Sequence, residues 1–306
     1  MRISTSWAQQ LGVNSMLAQQ ARLSQTQMQL SLGKKVLTPS DDPVAATRII
    51  DLNQGVKQTE QYQNNINAAR QRLSLEDGVL QDAFDVLHRI KELGVQGLNG
   101  TNSQNDRIAI AVEMEELNQH LLGLANTRNA NGEYLFSGFK TDTPPFSKNS
   151  AGGYDYAGDT HRREIQIAGD RRITDGDFGE SVFGVPTGAA PALGPSGPVD
   201  NVFEAIDKFA ADLRANAPQG SSLDDIAGAL DKMLTTEASV GVRLNALDRQ
   251  EEVNSGNILE LQTVLSATED LDYTEAISRF NLQSVSLQAA QQAYTKVQDL
   301  SLFKFL

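Results

Sequence analysis

The side chains able to do chemistry in this chain are few, and most are spaced as helices space them. Asp85, His88 and Glu92 follow one another at three and four residues, and Glu116 and His120 are four apart. Such spacing stacks side chains on one helix face, where carboxylate beside imidazole can ligate a metal or exchange a proton. It equally serves surface ion pairs, and no second helix offers the matching E-x-x-H of a di-iron site. His161-Arg162-Arg163 is a small basic spot that could take an anion or end a solvated strand. Asp170, Asp175 and Asp177 could gather around calcium, but Gly176 does not follow alternate-position acidic ligands as the calcium loop requires. Asn99-Gly100-Thr101 matches the glycosylation sequon, a triplet common by chance. Cysteine is absent, which removes thiol catalysis, thiolate metal sites and disulfides together. There is no P-loop, G-x-G-x-x-G or G-x-S-x-G. No residue is assigned to catalysis, a cofactor or a metal.

Bulk composition narrows the class further. The 306 residues are 40% hydrophobic and 21% charged, a globular balance with room for a sizeable core. A net charge of -13 argues against nucleic acid and against an anionic membrane surface. No apolar run approaches the ~20 residues of a membrane span, and the N-terminus lacks the apolar core of a cleaved signal peptide. Its serine-rich, acid-free character is superficially that of a transit peptide, without the arginines.

The elements that carry these residues are mainly helical. Gly33 ends a first helix, and Asp42-Pro43 starts a second, with a side-chain acceptor followed by a residue suited to the first helical position. Ile66, Leu73, Leu80 and Leu87 then recur by seven, with Ala69, Glu76, Ala83 and Ile90 three beyond each. A further row of Val79, Val86 and Leu93 predicts more than one neighbour. At 1.5 Å per residue this helix, from Pro43 to about Val95, is on the order of 75 Å long, the length of an elongated rod. Gly94, Gly97 and Gly100 are expected to end it. Ser103 and Asp106 form a capping-box start for a helix that ends before Asn131-Gly132. From about Thr141 to Pro198 the period becomes strand-like, at Tyr154/Tyr156 and Ile165/Ile167, and the segment closes in the low-complexity linker PTGAAPALGPSGP. Helices resume at Asn201, and from Ser222 a coiled-coil-like seam runs through Ile226, Met233, Val240, Leu247, Asn254 and Leu261. Glu237, Glu251 and Asn254 either set its register or sit on its rim, the second being the expectation.

Both ends of the chain are amphipathic and rich in glutamine. Met16, Leu23 and Leu30 are seven apart in a stretch of 40 residues without an acid. Phe280, Leu287 and Tyr294 are again seven apart, with Ala290 and Val297 completing the seam, and Leu300, Leu302, Phe303, Phe305 and Leu306 crowd the last positions. A narrow apolar seam is the mark of a helix that needs a partner, so these thirteen residues are assigned to assembly. The expected organisation is nested. Terminal helices (1–42 and 270–306) form an inner assembly domain, a helical rod (43–138 and 199–269) follows, and a small β-rich subdomain (139–198) is inserted in it. An isolated helix with one seam is marginal, so the ends are expected to be disordered in the free chain and ordered on incorporation.

The C-terminal AISRFNLQSVSLQAAQQAYTKVQDLSLFKFL and the Ser-Leu-Gly break after the first helix resemble bacterial flagellins. Two stretches resemble more narrowly the hook-associated protein 3 family, the hook–filament junction branch. They are DDPVAA, beginning Asp41, Asp42, Pro43, and GEYLFSGF, containing Tyr134, Leu135, Phe136 and Gly138. The resemblance covers 1–146 and 199–306. It implies a secreted structural protein of the bacterial flagellum, not an enzyme. Copies would form a ring above hook-associated protein 1 and receive flagellin. Export would be by the flagellar type III apparatus, with a cytosolic export chaperone holding the C-terminal helix beforehand. The alternatives are a short flagellin forming the filament itself, a metal-binding helical bundle using His88 or His120, or a type III-secreted translocator or adhesin.

Overall fold

The computed structural model describes residues 2–302 except 151, 186–192, 195–196 and 199. The described residues form seven helices: α1 (Arg2–Leu32), α2 (Pro43–Gly97), α3 (Gln104–Ala125), the short α4 (Gly179–Phe183), α5 (Val202–Arg214), α6 (Gly220–Glu269) and α7 (Tyr273–Leu302). Six short strands pair only as antiparallel hairpins: β1 (Phe146–Lys148) with β2 (Tyr154–Tyr156), β3 (Glu164–Gln166) with β4 (Arg172–Thr174), and β5 (Leu193–Gly194) with β6 (Gly197–Pro198). The fold is mainly α with a small β segment, as the periodicities imply. Most of the low-complexity stretch read as a linker lies outside the described residues; its described pieces are β5 and β6.

The chain divides into two compact units, one of Met1–Thr59 and Gly256–Leu306, the other Glu60–Ser255. In the second unit the seven-residue rows of α2 are the core. Ile66, Ala69, Leu73, Leu80, Ala83, Leu87 and Ile90 are fully buried, and Val79, Val86 and Leu93 are buried beside them. Ile226, Met233, Val240 and Leu247 line the same core from α6. α3 begins at the expected capping box, with Ser103 and Asp106 each bonding the other's backbone, and runs antiparallel to α5. On α5 the Asn201 side chain accepts the Glu204 N–H at 3.0 Å, and Val202, Ile206, Phe209 and Leu213 are buried.

Two readings change. Gly94 and Gly97 do not end α2 but lie inside it. A Cβ on Gly94 would stand 2.6 Å from the Phe209 ring, and one on Gly97 2.6 Å from Leu213 Cδ2. These glycines let α5 approach α2 closely, a use of a missing side chain other than the turn. α3 ends before Asn131 as expected, at Ala125, where Asn126 caps it and bonds the β1 backbone at Phe146. Asn254 is not on the rim. It is buried, donates to the Ile167 carbonyl at 3.1 Å and accepts from Gln250 at 3.0 Å, so the seam keeps a polar residue there to satisfy the main chain of the β3–β4 hairpin.

The hairpins share the helical core through an aromatic cluster. Phe183 of α4 meets Phe136 edge-on at 5.3 Å, and Phe146 of β1 lies 5.0 Å from Phe203 of α5. Edge-on and tilted pairs of this kind gain about 0.5–1.5 kcal/mol beyond their burial. The segment after β4 is held by charge. Arg163 grips Asp175 through Nε at 3.0 and 2.9 Å. Asp177 is bound by Arg162 and by Arg243 of α6. The basic spot and the acidic loop singled out separately in the sequence are therefore partners of one another. Beneath them Glu76 of α2 accepts the Asp177 N–H at 3.1 Å. Burial, and then the Asp177 carboxylate, push its pKa up to about 8.

Candidate functional site

The candidate site is the pair of terminal helices. α1 and α7 lie side by side within one unit and run antiparallel. A Cβ on Gly12 would stand 3.5 Å from the Tyr294 ring. Thr26 donates its hydroxyl to the Gln283 side-chain oxygen at 2.9 Å. Gly33 lies beside Tyr273, whose hydroxyl would be 2.7 Å from a Cβ there. The predicted seam is what joins them. Met16, Leu23 and Leu30 on α1, and Phe280, Leu287, Ala290 and Tyr294 on α7, are all half-buried. Two helices alone cannot enclose a seam, which explains why none of the seven is buried outright. A cleft of about 290 Å³ lined by Val13, Met16, Leu17, Leu287 and Tyr294 remains between them. α7 carries Val297, Leu300 and Leu302, whose side chains are outside the described residues, as are Phe303, Phe305 and Leu306 entirely.

The near ends of the two helices are fastened by their loops. Gly33 has φ +69 and donates to the Gln29 carbonyl at 2.8 Å, ending α1. The Leu271 N–H reaches the Gly33 carbonyl at 3.0 Å and the Lys35 N–H reaches that of Glu269 at 2.7 Å. Lys34 also pairs with the Glu269 carboxylate. Asp41 accepts the N–H groups of Leu37 and Thr38 and the Gln25 side chain, and the Thr38 N–H above all holds its carboxyl below the ordinary range. Asp42 accepts from Val44 and Ala45 at 3.1 and 3.0 Å, capping α2 before Pro43. Asp272 does the same for α7, accepting from Thr274 and Glu275. The Asp41-Asp42-Pro43 motif is thus a folded corner whose two carboxylates serve two different turns.

Each helix of the pair also leaves an apolar row open on the side away from its partner. On α1, Trp7, Leu11, Ala18, Ala21, Met28 and Leu32 step by fours, threes and sevens, and every one is exposed. On α7, Leu282, Val285, Ala289 and Ala293 do likewise, with Leu282 at 69% and Val285 at 63%. These residues were not singled out in the sequence, although their spacing was there to find. The richer seam of larger residues masked it.

The other motif belongs to the second unit. Tyr134, Leu135 and Phe136 are buried, and Arg128 lies over the Tyr134 ring at 4.3 Å. Gly138 has φ +67, and a Cβ there would fall 2.2 Å from Asp159 Oδ1. GEYLFSGF is therefore a packing and turn motif. His88 is exposed and edge-on to Phe84 at 4.5 Å, while Glu92 pairs with Arg89. Among the described residues no cluster of three metal-ligating side chains forms, and no helix is long and apolar enough to cross a membrane.

Comparison with known proteins agrees with this geometry. The profile of the bacterial flagellin N-terminal helical region matches residues 3–141. Flagellar hook-associated protein 3 of Escherichia coli K12 is 33% identical over 99% of this chain and 99% of its own length. The protein of the same description from Salmonella typhimurium LT2 is 30% identical over the same shares. A solved flagellar hook-associated protein of Vibrio parahaemolyticus has a TM-score of 0.67 at 25% identity, covering 75% of this chain and 100% of that one.

Proposed function

This chain belongs to the flagellar hook-associated protein 3 family, structural components of the bacterial flagellum, and on that premise we propose that it forms the hook–filament junction through its paired terminal helices. The observation that carries the proposal is the open apolar stripe on α1 and α7. The two helices spend one seam on each other and keep a second one, with Trp7, Leu11, Leu282 and Val285 exposed. A row of exposed apolar side chains along a helix is suited to an interaction site. Each large side chain buried on assembly contributes roughly 1.5–3 kcal/mol, so a handful suffices to drive ring formation. Further copies of the chain laid against α1 and α7 would also enclose the half-buried seam of Met16, Leu23, Leu30, Phe280, Leu287, Ala290 and Tyr294. Val297, Leu300, Leu302, Phe303, Phe305 and Leu306 would extend it.

In this reading 1–42 and 270–306 form the inner assembly domain, 43–138 and 199–269 the helical rod, and 139–198 an outer β-rich insert. Hook-associated protein 1 would lie beneath the ring and flagellin above it. The chain would pass through the flagellar type III apparatus from the cytoplasm to the extracellular flagellum. A cytosolic export chaperone would cover α7 until then, since an exposed stripe in a concentrated cytoplasm invites premature association. Its role is scaffolding and not catalysis.

Deletion of the gene in its source bacterium tests the function. The expected result is cells with hooks but no filaments and with monomeric flagellin in the medium. Ordinary filaments on the deleted strain would refute the junction role. Disappearance of the main flagellin itself would make the chain a filament subunit instead.

A further inference from the structure

The dipeptide Asn-Gly occurs at Asn99-Gly100 and at Asn131-Gly132, both on exposed turns. Asparagine is among the thermolabile residues of proteins, and glycine after it leaves the peptide nitrogen unobstructed. That nitrogen can attack the asparagine Cγ. A bond forms between the glycine nitrogen and Cγ, the Cγ–Nδ2 bond breaks, and the amide leaves as ammonia with the proton the glycine nitrogen gives up. The resulting cyclic imide takes up water. Opening at one carbonyl yields aspartate, and opening at the other yields isoaspartate, in which the main chain runs through the side-chain carbon.

The sequence ranks the two sites equally; the structure separates them. We propose that Asn99 is the chain's site of spontaneous deamidation, and that Asn131 is protected. Asn99 Oδ1 accepts the Thr101 N–H at 3.2 Å and the Thr101 hydroxyl at 3.1 Å. That oxygen is the one on which negative charge gathers as the nitrogen attacks, so two donors are already in place to stabilise it. Among the described residues no acceptor takes the Gly100 N–H. At the other pair the Gly132 N–H donates to the Asn129 carbonyl at 2.9 Å, with φ fixed at +82. The attacking nitrogen is therefore engaged, and among the described residues Asn131 Oδ1 receives no donor.

Reaction at Asn99 would matter locally. Its carbonyl accepts the Asn102 N–H at 3.2 Å and Arg107 Nη2 at 3.2 Å. An inserted methylene in isoaspartate displaces that carbonyl and loosens the turn leading to the Ser103 cap of α3.

The test is to age the full chain in mildly alkaline buffer at physiological temperature and follow both peptides by mass spectrometry. The folded protein, the urea-unfolded protein and the Thr101→Ala variant are compared. The expected result is several-fold faster loss of the Asn99 amide than of the Asn131 amide in the folded chain, with the difference vanishing in urea. Thr101→Ala should slow Asn99 and leave Asn131 unchanged. Equal folded rates, faster reaction at Asn131, no effect of Thr101→Ala, or a sugar found on Asn99 from the source cells would each overturn the proposal.

Discussion

Glu76 occupies a position in the α2 row where its neighbours are Ala69, Leu73, Leu80 and Ala83, and it is buried with them. It stays because the Asp177 N–H needs an acceptor there. The charged groups facing it are Arg72 on its own helix, Asp177 from the loop and Arg243 from α6. With its pKa raised from 4.5 to about 8, the folded chain keeps a proton that the unfolded chain has released between those values. Stability is therefore expected to fall as pH rises through that window. Glu76→Gln keeps the accepting oxygen and removes the titration. Urea midpoints should converge for the two proteins near the acid end of the window, with the variant the more stable at the alkaline end. Parallel midpoints across the window would contradict this. Gly138→Ala is expected to cost about 3 kcal/mol, because the new Cβ meets Asp159 and the backbone has φ +67; chemical denaturation measures it. A glycine at position 138 could be noted from the sequence, but Asp159, twenty-one residues on, could not be named as its neighbour. The same holds for Arg162, Arg163, Asp175, Asp177 and Arg243, whose pairing runs through loops that have no period.

Helices were readable wherever a buried row repeated. The rows of α2 from Ile66 to Leu93 fell where the seven-residue spacing put them, since that spacing follows from helix geometry alone, and Met16, Leu23, Leu30, Phe280, Leu287 and Tyr294 are the half-buried residues of α1 and α7 at that spacing. Glycine meaning was not readable, because it depends on what lies opposite. α2 makes the point with one substitution at two places. At Gly78 nothing lies within 4 Å of a new Cβ, and Gly78→Ala should stabilise by about 0.5–1 kcal/mol through helix propensity. At Gly94 the Phe209 ring is 2.6 Å away. Gly94→Ala should lose about 1–2 kcal/mol net, as overpacking exceeds the same propensity gain. Opposite shifts in urea midpoint are the expected outcome, and shifts of one sign would mean α5 is not held as described. Asn254 was misjudged for a related reason. A polar residue in an apolar seam reads as a rim position until the unpaired carbonyl of Ile167 is placed beside it.

For the molecule as a whole, the likeness to hook-associated relatives runs through 99% of the chain and so includes the β segment, where no motif had been recognised. Family and fold were within reach of the sequence through DDPVAA, a capped corner, and GEYLFSGF, a packed turn. The outward stripe was not. It differs from the inner seam only by which row the partner helix covers, and that is settled by how α1 and α7 meet. In the proposed function these uncovered rows build the junction. The direct test replaces Leu282 and Val285 by aspartate together, in the chain expressed in its deletion strain. The expected result is hooks without filaments, flagellin shed into the medium, and an unchanged thermal unfolding midpoint for the purified variant. Filaments of ordinary number and length, or a midpoint that collapses with the substitutions, would contradict it.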